Sequence, residues 1–230
     1  MFYFDPLYII FALPAFIVAI GSSILLRIIY AKYSNVTNEQ GITGSIAAQK
    51  ISSQYNLPVS YSQSYSALDD SFNPSSQTLI LSQSVANLAS IASVAIAAHE
   101  MGHAQQYFQN SFLISSRRIL IPGVTVGNYL GYLLIIIGIL INISGLAWAG
   151  IALFSFTTVF TLLTIPVEAD ASLRGLKMIK ELNLLNFSEI GGAKLVLTAA
   201  ALTYIAAAAS SLSTLLYFIL RVRGISTRRR

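Results

Sequence analysis

The 230-residue chain contains no cysteine, and this absence excludes disulfides and metal sites built from thiolates. Charged residues are also scarce: they make up 10% of the chain, against roughly a quarter of a typical soluble domain. Hydrophobic residues account for 55% of the sequence. Because a soluble surface needs more charge than this, the composition predicts an integral membrane protein.

Long runs without charged residues locate the predicted spans, since a helix needs about 20 apolar residues to cross a bilayer. The first run extends from Leu7 to Leu26, and a second, covering residues 119–167, is long enough for two spans joined by a turn near 142–145. The last run extends from Leu195 to Leu220. No basic residue precedes the first run, so we expect it to be retained as a span and not cleaved as a signal peptide. The sequence predicts a mainly α membrane protein with about four transmembrane helices.

The spans divide the chain into six predicted segments. They are a first transmembrane helix over 1–29, a small α+β unit over 30–118, a transmembrane hairpin over 119–167, a helix over 168–190, a fourth transmembrane helix over 191–222 and a basic tail over 223–230.

Basic residues predict the orientation of the chain. Nine of the 14 lysines and arginines fall within 27–118 and 168–194, and five fall within 221–230. The positive-inside rule then places the α+β unit in the cytoplasm and both termini outside. Because five basic residues outside conflict with that rule, either the earlier spans carry the tail across or the fourth run is not a complete span. The net charge of +5 favours membrane lipids with anionic headgroups as partners. Nucleic acid is not expected, because aromatic residues do not interleave with the basic ones.

The α+β unit carries local signals for two helices and two strands. Thr43 is a predicted N-cap for a helix that runs to about Tyr55. The stretches PVSYSQS and QTLILS have strand character and flank the turn-like DDSFNPSS. The following stretch, residues 85–108, contains no proline and predicts one unbroken helix. Its apolar part is too short to cross a membrane and predicts a buried core helix.

Both histidines of the chain lie in the stretch AAHEMGHAQQY. His99 and His103 stand four positions apart, so a helix presents both imidazoles on one face to a single ion. Glu100 is turned partly away from that face and can reach a water molecule on the ion. This His-Glu-x-x-His spacing is typical of zinc sites in which the glutamate is the general base. The alternative is two histidines hydrogen-bonded on an ordinary helix.

A catalytic zinc ion usually has three protein ligands, and here the third must be acidic. Glu168 and Asp170 directly follow the third span, where a charge at the membrane edge indicates function. Asp170 shares a helical face with Arg174, a pattern typical of a solvated ion pair. Glu168 shares a face with the small residues Ser172 and Gly175, which permit close packing against the histidine helix. We therefore predict Glu168 as third ligand and Asp170 as an alternative ligand or a partner that orients a histidine. The alternative for both is a pair of solvated acids at a helix N-terminus.

Six stretches along the chain carry a family resemblance. In order they are MFYFDPLYIIFALPAF, GITGSIAAQKI, LDDSFNPSSQTLILS, AAHEMGHAQQY, LTIPVEADASLRGL and GAKLVLTAAALTYIAAA. From residue 1 to about 220 the chain resembles the YugP-type neutral zinc metallopeptidases of bacterial membranes, which are similar in plan to the HtpX-like proteases. The resemblance implies a zincin-like catalytic unit, Zn²⁺ as cofactor, His99, His103 and Glu168 as ligands, and Glu100 as the catalytic glutamate.

These observations predict a zinc endopeptidase of the cell membrane whose active site faces the cytoplasm. Polypeptides would be its substrates, and the resemblance to HtpX-like proteases implies protein quality control on membrane or misfolded proteins. We expect QTLILS to be the edge strand that pairs with an extended substrate, and the alternative is a plain core strand. A non-catalytic membrane scaffold or chaperone with a structural zinc site is the alternative. A metal transporter is less favoured, because the two middle spans carry no charge. A homo-oligomer or a membrane protein partner, packing on the small residues 206–209, stays open.

Overall fold

The computed structural model of the chain describes residues 5–66 and 69–227. Its elements, in chain order, are α1 (Pro6–Ser34), α2 (Gly44–Tyr55), β1 (Ser60–Ser64), β2 (Ser71–Asn73), β3 (Thr78–Ser82), α3 (Gln83–Asn87), α4 (Ile91–Phe108), α5 (Phe112–Val126), a π-helical turn (Gly127–Gly131), α6 (Tyr132–Leu140), α7 (Ser144–Glu181) and α8 (Phe187–Thr227). Two compact units result. Of the described residues, the helical unit takes 5–22, 115–166 and 203–227, and the sheet unit takes 23–66, 69–114 and 167–202.

Within the described residues, four helical stretches are long and apolar enough to cross a membrane: Pro6–Ser34, Phe112–Leu140, Ser144–Glu181 and Phe187–Gly224. The prediction of a mainly α membrane protein with four spans and a small α+β unit is confirmed. The element bounds differ from the predicted segments. The first helix extends to Ser34, the second stretch begins at Phe112, and α7 continues through 168 without interruption. Charge-free runs mark the apolar part of a helix, whereas the helix itself continues into charged sequence.

Close backbone packing holds the α5–α6 stretch against α7 in the helical unit. A Cβ atom built on Gly131 would lie 2.9 Å from the nitrogen of Phe154, and one on Gly138 would lie 2.5 Å from the nitrogen of Ala147. Small residues allow such approaches between membrane helices, where van der Waals packing drives association. The chain reverses at Asn142, which adopts a left-handed φ of 57°. The turn predicted near 142–145 is therefore confirmed.

The sheet unit contains a three-stranded sheet in the order β1-β3-β2. Strand β1 pairs with β3 in parallel, and β2 pairs with β3 antiparallel, with Phe72 opposite Leu79. QTLILS is thus the central strand, and the expectation that it is an edge strand is wrong. The short strand β2 lies inside DDSFNPSS, where proline, serine and asparagine predict a turn. Its three residues are too few to show strand alternation.

The prediction of one unbroken helix over 85–108 is also wrong. Helix α3 ends at Asn87, and α4 begins at Ile91 with Ser90 as its N-cap, whose Oγ accepts a hydrogen bond from the nitrogen of Ser93 at 3.1 Å. The residues between the helices pair with the segment that follows α1. There, the nitrogen of Asn38 donates to the carbonyl of Ala89 at 2.9 Å. A contact so distant in sequence leaves no signal in the local pattern.

The other local predictions for this unit are confirmed. Thr43 caps α2, with its Oγ1 accepting a hydrogen bond from the nitrogen of Ile46 at 3.2 Å, and the helix ends at Tyr55. Helix α4 is buried along most of its length and joins the core around Ile51, Leu79 and Met101.

Candidate metal centre

Helices α4 and α7 approach so closely that their backbones are in contact. A Cβ atom built on Gly175 of α7 would lie 2.8 Å from the carbonyl oxygen of Ala98 and 3.0 Å from the nitrogen of His99. A Cβ atom built on Gly102 of α4 would likewise clash with the carbonyl oxygen of Ala171. The small residues at these positions therefore permit the packing that the helical phase predicted, and this packing aligns His99 and His103 with Glu168.

Three side chains converge where the two helices meet. The Nε2 atoms of His99 and His103 each lie 3.3 Å from Oε2 of Glu168. Among residues 5–66 and 69–227, this is the one group of three His, Asp or Glu side chains able to share a metal ion, with ligand atoms within 4.8 Å of one another. The group is nearly enclosed, because the exposed fractions of the three side chains are 12%, 14% and 4%.

The donor set fits zinc. Two imidazole nitrogens and one carboxylate oxygen make a known catalytic zinc set, in which a fourth position is left for water or substrate. The two Nδ1 atoms point to other partners: Ser172 Oγ lies 3.1 Å from Nδ1 of His99, and Gln106 Oε1 lies 3.0 Å from Nδ1 of His103. Outer partners of this kind orient histidine ligands in metal sites. The Nε2 atoms are accordingly the ones that face Glu168 and can hold a metal ion.

Glu100 lies beside this group and is buried. Its Oε2 accepts a hydrogen bond at 2.9 Å from the backbone nitrogen of Phe72, on strand β2. Burial raises the pKa of the Glu100 carboxyl above its ordinary value, although the neighbouring charges of His99 and His103 oppose the shift. A carboxylate with a raised pKa is a better proton acceptor near neutral pH. The arrangement suits a general base that stands next to a metal ion.

Asp170 does not join the three converging side chains. Its Oδ2 accepts hydrogen bonds from Nε2 of Gln106 at 2.8 Å and from Nε of Arg174 at 2.7 Å. Gln106 is fully buried and lies between Asp170 and His103. It was not identified as a site residue from the sequence. A signal for it exists, because residues three apart on a helix are neighbours and Gln106 follows His103 by three. The roles of His99, Glu100, His103, Glu168 and Asp170 in binding and catalysis stay predictions.

Comparisons with known proteins show the family of the chain. A family model described as "Putative neutral zinc metallopeptidase" matches residues 8–223. The "Putative membrane protease YugP" of Bacillus subtilis (strain 168) is 35% identical over 194 residues, which cover 83% of this chain and 85% of the relative. No solved structure gives a significant match. The family match extends over both units and includes every residue of the metal centre. The chain therefore belongs to the neutral zinc metallopeptidase family that this model describes.

Proposed function

We propose that the protein is a membrane-embedded zinc endopeptidase that hydrolyses peptide bonds of membrane or misfolded proteins. The observation that carries this proposal is the approach of two imidazole Nε2 atoms to one carboxylate oxygen, with the buried Glu100 beside them. Membership of a zinc metallopeptidase family and similarity to a membrane protease support it.

The residues of the site have separate roles in the proposed hydrolysis. His99, His103 and Glu168 hold the zinc ion, which when bound polarises the scissile carbonyl and acidifies water. Glu100 accepts the proton of the attacking water and delivers it to the leaving amine. The Phe72 amide holds Oε2 of Glu100 in place, and Oε1 is then the oxygen that exchanges the proton.

An extended substrate would run along strand β2. Because β3 lies between the other two strands, its own edges are occupied and it cannot pair with a further chain. Strand β2 is an edge strand, and the Phe72 amide points to Glu100 instead of to β3. The carbonyl of a strand residue points to the same edge as its amide. Phe72 therefore offers the substrate a main-chain acceptor next to the catalytic base, in the manner of β-strand addition.

The proposed location is the cytoplasmic face of the cell membrane, and the proposed role is protein quality control. The location is supported by the nine basic residues within 27–118 and 168–194, against five in the segment 221–230. Substrates reaching the site there would be damaged membrane proteins or unfolded cytoplasmic segments.

Casein cleavage by the detergent-purified chain with zinc tests the activity. Glu100→Gln keeps the metal ligands and removes the base, so we expect a loss of at least about 100-fold in cleavage rate, with zinc still bound. The matched control is Glu181→Gln, which changes an exposed carboxylate of the sheet unit in the same way. It should cleave like the wild type. Equal activity in Glu100→Gln and the wild type would contradict the proposed role of Glu100.

A non-catalytic scaffold or chaperone with a structural zinc site is the second candidate. The observation that favours it is the low exposure of the three converging side chains, which limits the access of a substrate to an ion held between them. In that case the wild type would bind zinc and cleave none of a panel of unfolded proteins. Its melting temperature would still fall when zinc is removed.

A further inference from the structure

The buried amide of Gln106 is held at both ends. Its Nε2 donates to the carbonyl oxygen of Val167 at 2.9 Å and to Oδ2 of Asp170 at 2.8 Å. Its Oε1 lies 3.0 Å from Nδ1 of His103. A carbonyl and a carboxylate accept hydrogen bonds and donate none, so both must face the NH₂ group of the amide. The orientation of Gln106 is therefore determined, with its oxygen toward His103.

This orientation selects one tautomer of His103. Because an amide oxygen can only accept, the hydrogen bond requires a proton on Nδ1 of His103. In the neutral ring, Nε2 then carries a lone pair, and it is Nε2 that faces Glu168. His99 differs, since its Nδ1 faces the hydroxyl of Ser172, which can donate or accept. The partner of His103 therefore determines its tautomer, whereas the partner of His99 does not.

Asp170 acts on His103 through this amide and does not touch the ring. Arg174 in turn holds Asp170, with its Nε donating to Oδ2 at 2.7 Å. The Nη1 atom of Arg174 also donates to Gln105 at 2.9 Å and to Gln109 at 2.6 Å. A continuous series of hydrogen bonds therefore leads from α7 across to the metal-binding face of α4.

We infer that Gln106 is a positioning residue that holds His103 in the tautomer with Nδ1 protonated, so that Nε2 is ready to bind zinc, and that Asp170 maintains the orientation of Gln106. This inference rests on the zinc site of the proposed function. A rotated Gln106 amide would place its oxygen against the carbonyl oxygen of Val167 and the carboxylate of Asp170. Both contacts are repulsive, so the observed orientation is strongly preferred.

The first test measures zinc affinity by competition with a chelator at fixed pH. Gln106→Met keeps the length of the side chain and removes the amide, and we expect zinc binding to weaken by about 10- to 100-fold. Gln54→Met is the matched control, because Gln54 is exposed on α2 of the same unit and the same change there leaves every contact of the histidines in place. It should bind zinc like the wild type. Ser172→Ala should weaken binding less than Gln106→Met.

A second measurement detects directly which nitrogen of each imidazole ring carries a proton. The chain has two histidines, so isotope-labelled histidine gives two imidazole spectra in nitrogen NMR, and Ser172→Ala, which removes the Nδ1 partner of His99 alone, assigns them. In the zinc-loaded wild type, we expect His103 to carry a proton on Nδ1 and zinc on Nε2. In Gln106→Met, the Nδ1 signal of His103 should change while the His99 ring keeps its spectrum. A purely structural effect would alter both rings or neither.

The outcomes separate the two proposals. If the wild type fails to bind zinc, the proposed function and this inference both fall. If the wild type binds zinc and Gln106→Met binds it equally well, the inference alone is overturned. If Gln106→Met does not fold, the wild-type spectrum decides: zinc on Nδ1 of His103 overturns the inference, and a proton there supports it.

Discussion

Replacing Gly175 by alanine tests whether the contact between α4 and α7 sets the metal centre. A Cβ atom at this position would lie 2.8 Å from the carbonyl oxygen of Ala98 and 3.0 Å from the nitrogen of His99. Ordinary van der Waals contact begins at 3.4 Å, so the helices must separate by about 0.6 Å. All the nearest atoms belong to the backbone, and no side-chain rotation can relieve the clash.

The size of the effect follows from two opposing contributions. Overpacking of this kind costs about 1–3 kcal/mol, and the better helix propensity of alanine returns about 1 kcal/mol. We therefore expect the free energy of unfolding to fall by up to about 2 kcal/mol. Zinc binding should suffer more, because metal–ligand distances tolerate shifts of about 0.2 Å. If zinc binding must restore the strained contact, the affinity falls by about 5- to 150-fold.

The assay is zinc competition with a chelator on Gly175→Ala and on the control Gly191→Ala, in detergent. A Cβ atom on Gly191 of α8 meets nothing within 4 Å, so the control brings the same propensity gain without a clash. Thermal unfolding of both variants, with and without zinc, separates binding from folding. Equal zinc affinity in the two variants would refute the claim that the α4–α7 contact positions Glu168 against the histidines.

Two further predictions concern stability. The carboxylate of Glu189 is buried and accepts hydrogen bonds at 2.8 Å from the backbone nitrogens of Glu39 and Asn186. Glu189→Gln removes one acceptor, so the free energy of unfolding should fall by about 1–3 kcal/mol in thermal unfolding, and an unchanged value would contradict this. Zinc at 1,000 times its dissociation constant should stabilise the wild type by about 4 kcal/mol. A chelator should therefore lower the melting temperature of the wild type but not of His103→Asn, and equal shifts in both would place the zinc elsewhere.

The spans and the convergence of three side chains were predictable from local spacing. Charge-free runs identify the spans, and the four-residue interval places His99 and His103 on one helical face. Helical phase separated Glu168 from Asp170, and the structure places Glu168 against both imidazoles. The i to i+4 pair of Asp170 with Arg174, which the phase also predicted, forms at 2.7 Å.

The features that the sequence did not reveal depend on tertiary contacts. The break between α3 and α4 exists because Ala89 pairs with Asn38, and β2 exists because β3 offers an edge. The wrong prediction for QTLILS has the same cause. Because the sequence did not reveal β2, one side of QTLILS was expected to be open, whereas β2 pairs with that side. The role of Gln106 has no local signal strong enough to identify it, because its partners Val167 and Asp170 contact it only in the folded chain.

The three converging side chains are far apart along the chain, and this separation has a consequence for biosynthesis. Glu168 follows His99 by 69 residues, and the stretch Phe112–Leu140 and the first part of α7 are synthesised between them. At about 5–20 residues per second, the ribosome needs roughly 3 to 14 s to make that interval. During this time the two histidines exist in the nascent chain without their carboxylate partner. A newly made copy therefore cannot bring the three side chains together until synthesis has passed residue 168, so the proposed zinc site forms only after that point.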